Sequence, residues 1–296
     1  MATTHTLLMR LAGPLQAWGA SSKFDRRDTH SHPTKSGVIG LCAAALGLDR
    51  SAPLGQLTEL RYGVRIDRPG TMISDYHVTG AGSYPLRPRD LITDPTRAAK
   101  HAAKLPHVEE TSSDHPFGHE VAVALTGWYG APKGIAPVRG GALVAGAVDR
   151  SAVLSTRWYL SDAVFLAALE HPDHALLQDM AAALEAPERL LWLGRKSCPP
   201  TGSIAAGVHP GTTLDVLTAA SPTPNPASYD PTQPHHTTPQ PPTRLTAWIE
   251  AEPRTPGATR LNDQPVDYAL RTHAPRWETR TRITTTNTIN LEDLLP

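Results

Sequence analysis

Cysteine is nearly missing from this chain: Cys42 and Cys198 are its 2 cysteines in 296 residues. That is too few for a disulfide framework, and their separation does not match the ligand spacing of a structural zinc site. Long apolar runs are missing as well. Hydrophobic residues make up 40% of the chain, yet no run approaches the ~20 residues that a membrane helix needs. The N-terminal MATTHTLLMRL carries one Arg and a very short apolar run, which argues against a secretory signal. The expectation is a soluble protein of a reducing cytoplasm with no membrane association. Charge of one sign is not in excess either: 28 basic and 28 acidic residues give a formal net charge of +0. A surface that attracts nucleic acid everywhere is thereby disfavoured. The G-x-x-x-x-G-K spacing of a nucleotide-binding loop does not occur, nor does an HNH-like His-Asn-His cluster. His101, His107, His115 and His119, with His235 and His236, are irregularly spaced and have no cysteine near them, so no metal and no cofactor are expected.

What is present is unevenly distributed. Lys23, Arg26, Arg27 and Lys35, with His30 and His32, face only Asp25 and Asp28. From Arg271 to Arg282 there are four arginines and one glutamate, Glu278. Arg87, Arg89, Arg97, Lys100 and Lys104 form a basic stretch, followed by an acidic one of Glu109, Glu110, Asp114 and Glu120. A neutral total can therefore hide a local basic groove.

Periodicity and turn signals order the chain. Residues 7–12 read as a strand closed by Gly13-Pro14. Thr34 is placed to cap a helix after Pro33, with Val38, Ile39, Leu41, Cys42, Ala45 and Leu46 as its buried stripe and Gly47 just past its end. Leu60 to Asp67 alternates as a second strand, and Met72 to Thr79 could pair with it as a hairpin arm. Arg157 to Leu169 reads as one extended apolar segment. Asp173 caps a second helix carrying Leu176, Met180 and Leu184, and Leu190 to Leu193 begins another strand. The order is β-α-β, an excursion over 80–155, then β-α-β, which predicts an α+β ferredoxin-like (RRM-like) domain. RNA-recognition modules commonly offer the sheet face of this fold to RNA. The proline-dense 221–243 segment reads as a linker. Arg244 to Glu250 and Trp277 to Thr286 read as returning strands, and EVAVAL at 120–125 is strand-like. The domain layout is then 1–220, a linker over 221–243, and C-terminal strands within 244–296 that pack back on the domain.

Several motifs carry candidate chemistry, each beside a plainer alternative. In LAGPLQAWG, Gln16 and Trp18 could pair with or stack on an unstacked base; the plainer reading makes Trp18 a core residue. In HPTKSG, Lys35 and Ser36 stand in the first turn of a helix, where free N–H groups favour a phosphate; a capped helix with a solvated Lys is the alternative. SDYHVTG holds Tyr76 and His77, a conceivable acid–base pair for metal-independent RNA cleavage. Adjacent strand residues face opposite ways, however, which disfavours joint action on one phosphate. LGRKSCPPTG is a turn able to aim Arg195 and Lys196 at a phosphate, or a plain surface turn.

The order and spacing of LLMRLAGPLQAWG, HPTKSGVIGLCAAALGL, SDYHVTG, RWYLSDAVFLAAL and LLWLGRKSCPPTG, with a weaker match at PRWETR around Arg276, resemble CasD-type subunits of the type I-E CRISPR Cascade complex, in the RAMP superfamily. The matching segments cover about half the chain. The resemblance implies a ferredoxin-like domain with a protruding β-hairpin thumb; the 80–155 excursion is much longer than that family's usual thumb, so the chain reads as such a domain with a long thumb excursion and a C-terminal strand extension. It implies a non-catalytic RNA-binding subunit of a ribonucleoprotein complex in antiviral defence, holding the 5′ handle of the CRISPR RNA. Its protein partners would be the large subunit and a backbone subunit, with target DNA met only through the complex. The candidate RNA contacts are Gln16, Trp18, Lys23, Arg26, Arg27, Lys35, Ser36, Tyr76, His77, Arg195, Lys196 and Arg276. Endoribonuclease action on repeat RNA is the alternative, because in a sister subtype the corresponding subunit is the nuclease.

Overall fold

The computed structural model describes residues 4–19, 26–79, 85–86, 135–137, 143–145, 153–223 and 243–291. Strand β1 (His5–Ala12) is buried along almost its whole length. The cause is cover on both sides: Leu7, Met9 and Leu11 belong to one core and Leu8 to another. Helix α1 (Lys35–Ala45) starts where expected, with Thr34 Oγ1 accepting from the Gly37 amide at 3.3 Å. It stops at Leu46, and Gly47 follows with φ +72. Strands β2 (Leu15–Gln16) and β3 (Arg26–Arg27) lie between β1 and α1, and β4 (Arg61–Arg68) and β5 (Thr71–Thr79) follow it.

After the short strands β6 (Pro85–Leu86), β7 (Ile135–Pro137) and β8 (Leu143–Ala145) come β9 (Val153–Ser161) and β10 (Val164–His171). The segment expected to be one extended stretch is thus broken. Asp162 turns with φ +55, and β9 and β10 enter different sheets. Helix α2 (His174–Glu185) is capped by Asp173 Oδ1, which accepts from the Ala175 and Leu176 amides at 3.0 and 3.2 Å. Its buried residues are Leu177, Met180 and Leu184. Leu190 to Leu193 is no strand, because it runs into the Gly194 turn; the next strand is β11 (Ala205–Pro210). Helix α3 (Thr213–Ala219), opened by a Thr212–Asp215 capping box, was not legible in the sequence. Ser221 and Thr223 are buried, so packed chain continues into the segment read as a linker. The chain resumes with β12 (Arg244–Ala251), β13 (Thr259–Asp267) and β14 (Thr272–Thr284).

The main sheet has the order β11-β1-β10-β4-β12-β14-β13, with every neighbouring pair antiparallel. A second sheet has β9 between β2 and β3, with β5 paired to β9. The 72–79 arm therefore pairs with β9 and not with the 60–67 strand. A third sheet has the order β6-β8-β7. Helices α1 and α2 cover one face of the main sheet together with Leu7, Met9, Tyr62, Val64, Phe165 and Leu169. The other face is covered too: α3 and Leu291 bury Leu8, Leu166, Ala168 and Ala247. The central strands consequently have no open sheet face for RNA. By compactness the chain divides into Met1–Asp75 with Thr156–Pro296, and Tyr76–Ser155. Most of the second unit, including EVAVAL and the basic and acidic stretches of 87–120, lies outside the described residues.

Candidate nucleic-acid interface

Three sequence motifs meet at the end of β1, and glycines make the approach possible. Gly194 has φ +91, and a Cβ there would sit 1.8 Å from the Ala17 carbonyl oxygen. Gly37, in the first turn of α1, lies under the Trp18 ring, which a Cβ would reach at 2.9 Å. The Gly194 turn is closed by Leu193 N–H to Cys198 O (2.7 Å) and Cys198 N–H to Arg195 O (2.9 Å). This geometry aims Arg195 across the second sheet. Its Nη1 donates to Trp158 O at 2.9 Å, its Nη2 donates to Arg27 O at 2.8 Å, and its guanidinium lies 4.7 Å from the Tyr159 ring centroid.

Strand β3 pairs in parallel with β9, setting Arg26 opposite Thr156 and Arg27 opposite Arg157. Arg195 ties these two strands to the turn that carries exposed Lys196. Arg26, Arg27, Arg157, Arg195 and Lys196 thus occupy neighbouring positions of β3, β9 and the Gly194 turn, spread over both faces of the strand pair. Arg26 is exposed, ion-paired with Asp28 at 2.9 Å and positioned 5.8 Å from the Trp158 ring. Trp158 keeps a buried indole N–H without an acceptor. Sequence reasoning missed Arg157 and Trp158, although the Arg-Trp pair was in view; only the β3–β9 pairing reveals their proximity to Arg26. Lys23 lies outside the described residues.

Four expected base or phosphate contacts are instead committed to the interior. Gln16 is 0% exposed, and its amide nitrogen donates to Leu11 O (3.0 Å) and Ala163 O (2.8 Å). Its carbonyl oxygen accepts from the Trp18 indole at 3.0 Å, and Trp18 is 1% exposed. No hydrogen-bonding edge of this pair is left for a base. Lys35 is 2% exposed, its ammonium bonded to both oxygens of Glu250 at 3.0 Å. The phosphate expected at the start of α1 is replaced by a carboxylate of the protein itself: Asp263 Oδ2 accepts from the Lys35 amide at 2.8 Å. Ser36 is half-buried, and its carbonyl accepts from the Tyr268 hydroxyl at 2.6 Å.

With Gln16, Trp18 and Lys35, Arg276 is the fourth buried one. It is buried, with Nε and Nη2 donating to Asp263 at 2.6 and 2.9 Å and Nη2 lying 2.8 Å from Glu278. Glu278 also meets His32 Nε2 at 3.1 Å, and His32 stacks on Trp248 with ring centroids 5.0 Å apart. Burial works to raise the Glu278 carboxyl, but the hydrogen bond and charge of His32, then Arg276, outweigh it and hold it below its ordinary value. Burial lowers the Lys35 ammonium, with Glu250 opposing. For Arg276, burial is outweighed by the hydrogen bond and charge of Asp263, then by Glu278, and its value rises. These groups lock the start of α1 to β12, β13 and β14, which is a structural task.

In the second unit, Tyr76 is 62% exposed and His77 is half-buried at adjacent positions of β5. Their side chains leave opposite faces of the strand. Among the described residues no group of His, Cys, Asp and Glu side chains could hold a metal ion, and no helix is long and apolar enough to cross a membrane.

Comparison with known proteins places this geometry in context. Residues 6–284 match the family described as CRISPR-associated protein (Cas_Cas5). The chain is 27% identical over 206 residues to the CRISPR system Cascade subunit CasD of Escherichia coli (strain K12), covering 68% of this chain and 70% of that protein. A crystal structure of a Cas protein superposes with a TM-score of 0.58 at 27% identity, covering 95% of this chain and 96% of that one. A chain of a CRISPR RNA-guided surveillance complex superposes at 0.59 with 25% identity, covering 96% and 92%.

Proposed function

The chain belongs to the CRISPR-associated Cas5 family, and from that premise we propose that it is an RNA-binding subunit of a Cascade-type surveillance complex in the cytoplasm. It holds the 5′ handle of the CRISPR RNA and bridges the large subunit and a backbone subunit. The observation that carries this reading is that the two bonds of Arg195 hold the Gly194 turn, with exposed Lys196, against the β3–β9 pair that carries Arg26, Arg27 and Arg157. Cations set around half-buried Trp158 are the chemistry that phosphate and an unstacked base call for.

The strand–helix order β1-α1-β4-β10-α2-β11, with spatial order β11-β1-β10-β4, supports a ferredoxin-like reading of residues 1–220. In this reading residues 80–155 form the thumb and the segment 221–243 holds the linker. The strands of 244–296 extend the sheet through β12, beside β4. The role is non-catalytic: the placement of Tyr76 and His77 on opposite strand faces supports holding RNA and not cutting it.

The test is isolation of the complex assembled with its neighbouring subunits, followed by sequencing of its RNA. The expected result is RNA with one uniform repeat-derived 5′ end, whose nuclease protection is lost in Arg26→Gln/Lys196→Gln. Recovery of this protein free of RNA and other subunits would overturn the reading. Specific cuts in repeat RNA that vanish in His77→Ala would replace it with the nuclease.

A further inference from the structure

We propose that Arg244, Arg280 and Arg282 form a second phosphate-binding stripe, on the outer part of the β12–β14 face, which takes the backbone of a single nucleic-acid strand. The alternation of β14 is the starting point. Arg276, Glu278, Arg280 and Arg282 share one face; the first two are buried and the last two exposed. On β12, Trp248 stands opposite Arg280, Thr246 opposite Arg282, and Arg244 opposite Thr284. Arg244 is therefore the diagonal neighbour of Arg282. Spacings of about 6.6–6.8 Å along a strand and about 7–8 Å diagonally follow from sheet geometry.

These three differ from the arginines that hold the fold together. Arg276 has Asp263 and Glu278, and Arg65 is bonded to Asp67 and to carbonyls at the end of α3. Among the described residues Arg244, Arg280 and Arg282 have no hydrogen-bond or ion-pair partner. The carboxylates further along the same face are taken: Glu250 by Lys35 and Tyr62, Glu278 by His32 and Arg276. Among the described residues the exposed part of the face thus carries positive charge with no carboxylate bonded to it. Its floor is set by Trp248, held in a stack with His32.

The chemistry favours a nucleic-acid strand over an acidic protein. Planar guanidinium groups, with the Thr246 and Thr284 hydroxyls beside them, suit phosphate oxygens repeated along a chain. A protein partner needs an apolar anchor at the centre of its contact. Among the described residues this part of the face offers only half-buried Trp248, already stacked. The identity of the strand rests on the reading under Proposed function, and the existence of the stripe does not. A guide RNA and a DNA strand present the same phosphate chemistry.

The test uses the purified chain, a short single-stranded RNA and the DNA of the same sequence, with affinity measured across a salt series. Arg244→Gln/Arg280→Gln/Arg282→Gln should lower the slope of log affinity against log salt by about 2, from three contacts at ~0.7 each. Loss on RNA alone assigns the stripe to RNA; equal loss on both assigns it to either strand. Arg26→Gln/Lys196→Gln is measured in parallel. A slope lowered there and unchanged in the triple variant overturns the stripe and leaves the first site. The reverse keeps the stripe and overturns the first site, and no change in either overturns both. Arg61→Gln, an exposed arginine at the start of β4, should leave the slope unchanged. A drop as large as in the triple variant would reduce the stripe to nonspecific charge and overturn it. The three side chains lack internal partners, so the triple variant should melt at the wild-type temperature.

Discussion

Replacing Asp263 by Ala tests the buried charge network most directly. The carboxylate is 1% exposed and accepts three hydrogen bonds: two from Arg276, at 2.6 and 2.9 Å, and one from the Lys35 amide at 2.8 Å. Its removal leaves the Arg276 guanidinium, 3% exposed, with Glu278 as its remaining acidic neighbour, and it uncaps the first turn of α1. Breaking a buried ion pair from one side costs about 3–5 kcal/mol. At ~2–4 °C per kcal/mol for a chain of this size class, the melting temperature should fall by roughly 6–20 °C. Thermal and urea unfolding followed by tryptophan fluorescence would read the change, since Trp248 reports on the His32 stack. The double variant Asp263→Leu/Arg276→Met removes both charges and should recover more than 1 kcal/mol of the loss, about the lower range of coupling for groups in contact. A single-variant loss under ~1 kcal/mol, the scale of an exposed pair, would refute the reasoning. So would a double variant no better than the sum of its parts.

Two further outcomes follow from the same geometry. Glu278 has a folded-state value below its unfolded one, so its contribution is present above the usual glutamate range and is lost as pH falls through the folded value; Glu278→Gln should flatten this acid limb in stability-versus-pH curves, and an unchanged limb would refute the assignment. Gly194→Ala forces a side chain into φ +91 and against the Ala17 carbonyl, so it should cost at least ~1–3 kcal/mol from backbone strain alone and misdirect Arg195, weakening RNA binding in a filter assay; wild-type stability and binding would contradict the proposed closure.

The sequence alone determined what local chemistry controls. Thr34 and Gly47 bound α1 because the cap and the positive φ act within one turn, and Asp173 starts α2 for the same reason. Strands β1, β4, β12 and β14 were legible from apolar runs and alternation, and the three glycine-bearing motifs flagged the corner where Ala17, Gly37 and Gly194 meet. Tertiary structure decided which polar residues face solvent. Lys35 looks like a solvated first-turn lysine until Glu250, 215 residues away, takes its ammonium. Gln16 looks like a base reader until Ala163, 147 residues away, takes its amide. Arg276 and Arg280 are the same residue type on the same strand face; only the position of Asp263 on the neighbouring strand makes one a structural anchor and leaves the other exposed. Strand partners are chosen the same way: β5 pairs with β9, and β9 parts from β10 at Asp162, because pairing depends on which distant strand arrives at the open edge. Local signals act over a few residues, whereas burial and pairing are properties of the closed sheet.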